Sequence, residues 1–236
     1  MTRPRSTKNL FRATKAKPLP PDALFDAADL PRQDIPQESY RDPLDYAPTP
    51  PEATRAFIGV EGDRMRQIGG PVWEPAVGAG HMARPLQEAG FDVIGSDVVD
   101  RGHPGVILTD FYEWGQDGGP PAPAQIIVTN PPYNEVSARD GHGRWLRHIE
   151  AMQDVRYAAM LLNWDWIAAR QNGMDELHAR FPPARVYVCC WKIDFTGKGS
   201  PPQRNGWLVW DRDHTGPTTL HRLFKEAGDP PQEAFL

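Results

Sequence analysis

The sequence predicts an α/β fold, a doubly wound and mostly parallel sheet that ends in an antiparallel β-hairpin. Three observations carry this. Short apolar runs alternate with stretches of helical spacing along most of the chain, the pattern of strand–helix–strand units. A glycine turn, Gly78-Ala79-Gly80, joins the first such run to the first such helix. The last two runs, Arg185–Trp191 and Trp207–Trp210, have no helix between them, so they are expected to pair antiparallel.

Each element has its own signal. Order is expected to begin at Thr49-Pro50-Pro51-Glu52, with Thr49 as N-cap, Pro50 at the first helical position and Glu52 closing a capping box. Ala53, Ala56, Phe57 and Val60 then share one helical face, and Gly69-Gly70 ends the unit. Val72–Val77 reads as a strand entering the glycine turn. Met82–Ala89 reads as a helix with Pro85 in its first turns. Phe91–Ser96, Gly105–Thr109 and Gln125–Thr129 read as the next three strands. Trp145, Ile149 and Met152 give Gly143–Met152 a helical period. Val155–Leu162 is a strand, and Trp164–Phe181 contains a helix.

Size and composition set limits. A chain of 236 residues is one domain with appendages, and 39% hydrophobic residues allow a sizeable core. The 26 prolines imply long irregular segments as well. Residues 1–45 are basic, then Pro-rich and acidic, and read as an arm; residues 46–225 form the domain and 226–236 a tail. Arg3, Arg5, Lys8, Arg12, Lys15 and Lys17 all precede the first acid, Asp22, so the arm either touches phosphates or is a solvated terminus. A net charge of -5 argues weakly against a broad nucleic-acid surface. No run approaches the roughly 18 apolar residues of a membrane span, and the first residues lack the apolar centre of a signal peptide, so a cytoplasmic location is expected. Cys189 and Cys190 are adjacent in an apolar run and are expected to be small buried hydrophobes without a disulfide. The seven histidines are scattered, and no metal site is expected.

The chemistry concentrates at strand ends. Thr129-Asn130-Pro131-Pro132-Tyr133 follows the run Gln125–Val128, at the carboxyl end of a strand, where open α/β sheets place their ligands. The Asn130 side-chain oxygen and the Pro131 carbonyl can both accept from an –NH₂ group. Pro131 and Pro132 restrict the backbone and donate nothing that competes. Tyr133 offers a flat face for a planar ring. The segment is a holder for a planar amine or amide.

Glu74-Pro75-Ala76-Val77-Gly78-Ala79-Gly80 brings a second group of features to the same edge. Gly78 and Gly80 permit close approach of a ligand, and the helix start that follows offers free N–H groups. Position 83 is alanine, so the dinucleotide fingerprint is incomplete. Asp97 ends the second strand 17 residues past Gly80, near the spacing of a carboxylate on ribose hydroxyls. Asp110 ends the third, beside Phe111 and Tyr112, whose rings could pack on an adenine. Together these strand ends suit a nucleoside-shaped ligand. Gly197-Lys198-Gly199-Ser200 hints at a phosphate loop, but Lys192 stands where the first glycine is needed and no Ser or Thr follows Lys198.

These residues resemble the class I S-adenosylmethionine-dependent methyltransferases that act on exocyclic amines, whose fold is Rossmann-like. Thr49-Pro50-Pro51-Glu52 is similar to the extra cofactor motif of their DNA amino-methyltransferase branch. The cofactor motif precedes Asn130-Pro131-Pro132-Tyr133, as in the gamma order of the N6-adenine enzymes, and the whole resembles small phage and prophage methyltransferases. The match covers residues 46–135 well and extends loosely to about residue 211. The resemblance implies S-adenosylmethionine as cofactor. It puts Gly78, Gly80 and Ala76 (after Pro75) on the methionine part, Glu74 near the amino group and Thr49 on the carboxylate. Asp97 falls on the ribose and Asp110, beside Phe111, at the adenine amine. Asn130 and Pro131 would hold the target amine, Tyr133 would stack on a flipped base, and Phe195, with Trp191 as the spare, would be the second aromatic. It implies DNA as the partner, with target recognition by the arm, by Glu135–Gly143 or by Gly197–Asn205. The alternatives are methylation of a protein glutamine or an RNA base, or a non-catalytic module that keeps the fold.

Overall fold

The computed structural model describes residues 46–225, apart from 140, 196, 198 and 200–202. The expected arm at 1–45 and tail at 226–236 lie outside the described residues.

An eight-stranded sheet runs in the order β3-β2-β1-β4-β5-β7-β6-β8. Its strands are β1 Val72–Glu74, β2 Val93–Asp97, β3 Ile107–Leu108, β4 Ile126–Thr129, β5 Tyr157–Asn163, β6 Arg185–Cys189, β7 Asn205–Asp211 and β8 Thr219–Leu223. The strands from β3 to β5 are parallel neighbours, with Val72 level with both Val93 and Ile126, and Thr129 level with Met160. Strand β7 is antiparallel to both β5 and β6. The expected hairpin therefore forms, and its second strand is inserted beside β5.

Strand β8, which adds parallel to β6, carried no usable signal. It reads Thr-Leu-His-Arg-Leu, of which only Leu223 is buried. An edge strand exposed on one flank needs no apolar alternation, so the periodicity that reveals the inner strands is missing. Strand β3 is two residues long where five were expected, because only Ile107 and Leu108 meet β2.

The central strands are buried on both faces, as their near-continuous apolar runs require. Alternate residues diverge to two cores. Ile126, Val128, Tyr157, Ala159, Leu161, Trp207 and Val209 join helix α1 (Pro51–Ile68) and helix α2 (Ala83–Glu88) on one face. Ile127, Ala158, Met160, Leu162, Leu208 and Trp210 join helix α4 (Arg144–Ala151) and helix α5 (Met174–Arg180) on the other. A one-turn helix, α3 (Tyr133–Val136), follows β4. Phe57 of α1 stacks on Trp207 with ring centroids 4.2 Å apart, which ties the first helix to the middle of the sheet.

Helix α1 starts one residue later than the sequence suggests. Pro50 is the N-cap and Pro51 the first helical residue, with no side-chain cap. Thr49 therefore stands one position too early for a capping box, and its hydroxyl is engaged elsewhere. Val60 is 48% exposed; Glu61 and Met65 take the buried positions instead. Cys189 is buried as expected, and burial pushes its thiol up to about 12. Cys190 is only half-buried, and both cysteines are free.

Candidate active site

Parallel strands that share a direction leave their carboxyl ends along one edge, and the chain changes direction on either side of β1 and β4 there. A cleft of about 350 Å³ opens at this edge. Its walls come from β1 and the turn after it (Glu74, Pro75, Ala76, Val77), from the end of β2 (Asp97, Val98), from the turn after β3 (Asp110, Phe111, Tyr112) and from the end of β4 (Asn130, Pro132, Asn134). Tyr46–Thr49 cross over to join them. Nine expected site residues thus meet: Thr49, Glu74, Pro75, Ala76, Asp97, Asp110, Phe111, Asn130 and Pro132.

Gly78 and Gly80 are not part of the wall. Both adopt positive φ, +54° and +78°, which explains why glycine is needed. The space beside each Cα is filled by a ring of the protein itself, Tyr46 at Gly78 and His103 at Gly80. The Gly78 N–H donates to Asp97 Oδ2 at 2.8 Å, and the Val99 N–H to Asp97 Oδ1 at 3.1 Å. Asp97 therefore pins the glycine turn to the end of β2, and each carboxylate oxygen keeps lone pairs for a further donor.

Glu74 ends β1 with 3% of its surface exposed, and its Oε2 is buried without a partner among the described residues. Burial pushes its carboxyl well above the usual range, and the charge of Asp97 adds to the effect; a hydrogen bond from the Ala83 backbone opposes both. Such a carboxylate is poised for a cationic partner, because a nearby positive charge would offset the desolvation. Asp110 caps a short 3-10 turn at Phe111–Glu113, its Oδ1 accepting from the Tyr112 N–H at 3.0 Å. Phe111 lines the cleft but is mostly core, stacked on Trp145 with centroids 4.1 Å apart. At this rim Tyr112 donates to Glu135 Oε2 at 3.0 Å, and Arg144 pairs with the same carboxylate at 2.7 Å. Burial and the Glu135 charge raise the Tyr112 hydroxyl above its ordinary range.

Asn130 carries the clearest geometry. Its Nδ2 donates to Thr49 Oγ1 at 3.1 Å and lies 3.4 Å from the Ala47 carbonyl. Its Oδ1 is buried and has no partner among the described residues. Tyr133 opens α3 beside it, outside the cleft wall. The Tyr133 hydroxyl accepts from Asn205 Nδ2 at 3.0 Å and lies 3.5 Å from the Leu161 carbonyl, which fastens the segment to β5 and β7. Pro131 is buried and also stands outside the wall.

Phe195 is half-buried and packs against the core on the α1 face. Trp191 is 5% exposed in the same core, so packing accounts for it. Of the two loops suggested for recognition, Asp140 in one and Lys198 and 200–202 in the other lie outside the described residues.

The chain order of strands and the antiparallel β7 decide the fold class. The fold is that of the class I S-adenosylmethionine-dependent methyltransferases. A Listeria monocytogenes chain provisionally assigned to that class superposes with a TM-score of 0.51 at 11% identity, covering 74% of this chain and 65% of that one. A Vibrio vulnificus modification subunit, provisionally of a type I restriction enzyme, gives 0.50 at 15% identity over 75% of this chain and 47% of that one. A Pyrococcus horikoshii chain provisionally assigned as an RNA methyltransferase gives 0.52 at 14% identity over 71% and 88%. The match spans less than two thirds of the first two chains. No protein-family model and no curated protein sequence matches this chain.

Sequence reasoning missed Tyr46, His81, Val98, Arg101, Arg144 and Trp145 as site residues, all in the cleft wall. Val98 had a signal, as the residue after the acid at the end of β2, and it is 56% exposed there. Tyr46 and Arg101 had none, since their meeting (the guanidinium lies 4.3 Å over the ring) joins segments far apart in the chain. Among the described residues no group of three metal-ligating side chains occurs, and no helix is long and apolar enough to cross a membrane.

Proposed function

We propose that this chain is an S-adenosylmethionine-dependent methyltransferase acting on an exocyclic amine, and that the amine is N6 of an adenine flipped out of DNA. The observation that supports it best is the Asn130 Oδ1, a buried acceptor, in the same cleft as the buried Glu74 Oε2, neither with a partner among the described residues. One suits an –NH₂ donor and the other a cation. The cofactor carries both an ammonium and a sulfonium, and the cleft has the size class of a ligand pocket. The residues present fit it.

In this reading Glu74 faces the cofactor ammonium, the wall at Pro75–Val77 follows its methionine part, Asp97 meets the ribose, and Asp110 with Phe111 meets the adenine end. When bound, the group supplies an electrophilic methyl on sulfur. Asn130 Oδ1 and the Pro131 carbonyl accept from the target –NH₂, drawing its nitrogen lone pair out of the ring plane and toward that methyl. The rigid prolines keep these acceptors in place, so positioning provides most of the rate. Tyr133 stacks on the displaced base, and Phe195 is the proposed second aromatic. Methylation of a glutamine amide in a protein is the second reading, favoured by the net charge of -5.

Incubation with labelled cofactor and unmethylated DNA, RNA or protein lysate tests this. Label recovered in N6-methyladenine is expected. Label in protein or RNA instead would move the target to that class, and cofactor binding without transfer to any of them would reject the enzyme.

A further inference from the structure

A carboxamide can face a cleft in two ways, related by half a turn, and only one presents an acceptor. At Asn130 the choice is made by a neighbour that can only accept. The Ala47 carbonyl lies 3.4 Å from Nδ2, so the end of the carboxamide facing it must be the nitrogen. The Thr49 hydroxyl could serve as donor or acceptor; with nitrogen turned toward it, 3.1 Å away, it accepts. Thr49 is 4% exposed, so water does not compete for this bond. Oδ1 is thereby the end turned away from Ala47 and Thr49, and it is buried and without a partner among the described residues. The segment Tyr46–Thr49, to which both partners belong, also reaches the opposite wall. The Tyr46 ring lies against Gly78, its hydroxyl is 3.4 Å from His81 Nδ1, and Arg101 covers it at 4.3 Å.

We propose that residues 46–49 form a strap that orients Asn130, and that Thr49 is a positioning residue: its hydroxyl accepts from Nδ2 and so keeps Oδ1 turned toward the amine to be methylated. The identity of that amine rests on the methyltransferase reading above; the orientation rests on hydrogen-bond chemistry alone. This role differs from the one the family resemblance implies for Thr49, a direct contact with the cofactor carboxylate. The strap also touches both halves of the site, through Tyr46 at the glycine turn and Thr49 at the strand end.

The test compares Thr49→Val, which keeps the shape and removes the acceptor, with Thr49→Ser, which restores it, in the full chain. Three readouts apply. The Asn130 side-chain NH₂ signals in a ¹⁵N–¹H spectrum, assigned by their disappearance in Asn130→Asp, should exchange faster with water in Thr49→Val and return to wild-type protection in Thr49→Ser. Calorimetric affinity for S-adenosylhomocysteine should stay within about twofold in both. Transfer from labelled cofactor to unmethylated adenine-containing duplex DNA should lose roughly ten- to a hundredfold in kcat in Thr49→Val, with the cofactor KM unchanged, and recover in Thr49→Ser. Unchanged Asn130 signals, or a tenfold loss of S-adenosylhomocysteine affinity with those signals intact, would overturn the proposal in favour of a cofactor ligand. If Thr49→Val does not fold, Thr49→Ala carries the same three readouts. Should the wild-type chain transfer methyl to no substrate, the enzyme reading fails, and the amide signals still decide whether the strap orients Asn130.

Discussion

The two ends of the sheet treat buried charge in opposite ways. At the amino-terminal ends of β5 and β6, Glu61 of α1 accepts from Tyr187 at 2.6 Å, from Tyr157 at 3.0 Å and from Arg185 at 2.5 and 3.0 Å. Asp211 at the end of β7 is held by Arg64 at 2.8 and 2.9 Å and by Arg185 at 3.0 Å. Every oxygen of both carboxylates is engaged. At the carboxyl-terminal edge Glu74 is buried and Asn130 half-buried, yet each has a buried side-chain oxygen with no partner among the described residues. Other buried orphans exist, but they are hydroxyls and ring nitrogens; the carboxylate and the carboxamide oxygen both stand in the cleft. A buried charge with all its bonds made supports the fold, and one left short of a partner is set up to receive a ligand.

Removing one partner from the saturated end should give the largest effect. Arg185→Leu leaves Glu61 buried beside two tyrosines without its cation, and stability measured by urea unfolding should fall by about 3–5 kcal/mol. Cofactor affinity of the molecules that remain folded should hardly change. A loss below about 1 kcal/mol would mean the cluster is not the anchor described.

At the open end the effect should fall on rate. Asn130→Ala should lower methyl transfer by about a hundredfold or more, worth about 3 kcal/mol, with S-adenosylhomocysteine binding and unfolding midpoint retained. Retained transfer would exclude Asn130 as the amine holder.

Acid separates the two ends further. Burial works to raise Asp211, but the hydrogen bonds from Arg64 and Arg185 outweigh it and hold its carboxyl at about 2, below the ordinary 3.8. Its stabilisation is present above pH 3.8 and is lost as pH falls from there through about 2. The pH titration of stability in that window should contain a component of about 2 kcal/mol that Asp211→Asn removes.

Glu74 has the reverse sign. Its carboxyl is raised, so its contribution is present below the ordinary 4.5 and is lost as pH rises through the higher value in the folded chain. Glu74→Gln should therefore stabilise the ligand-free protein at pH 8 relative to pH 5, by about 1 kcal/mol, and weaken binding of the cationic cofactor. Melting curves at the two pH values, with and without S-adenosylmethionine, read both effects. A variant less stable than wild type at pH 8 would show that Glu74 is already satisfied.

The open end was also the more legible one in the sequence. Glu74, Asp97, Asp110 and Asn130 each stand where a strand stops, and the parallel alternation of elements predicts that such positions converge. The saturated end was invisible. Glu61 sits in a helix where Val60 looked like the core residue, and its partners lie 96 to 126 residues away. Pairing across such distances leaves no periodic trace. The strap was half visible: Thr-Pro-Pro-Glu marked the place, but a one-residue shift of the helix start turned an expected cap into a hydrogen bond with Asn130. Strand β8 escaped because an edge strand has little to bury.

The direction of β7 has one further result. Strand β6 runs with its parallel neighbours and stops beside their tips, while β7 runs the other way and must start there, from Cys189 to Asn205. Both ends of the β6–β7 connection thus lie at the carboxyl-terminal edge of the sheet, by topology alone. Lengthening such a segment is cheap, about 0.6 kcal/mol for each doubling. A connection at that edge can therefore change in length while the eight-strand scaffold and the ion pairs of Glu61 and Asp211 stay as they are.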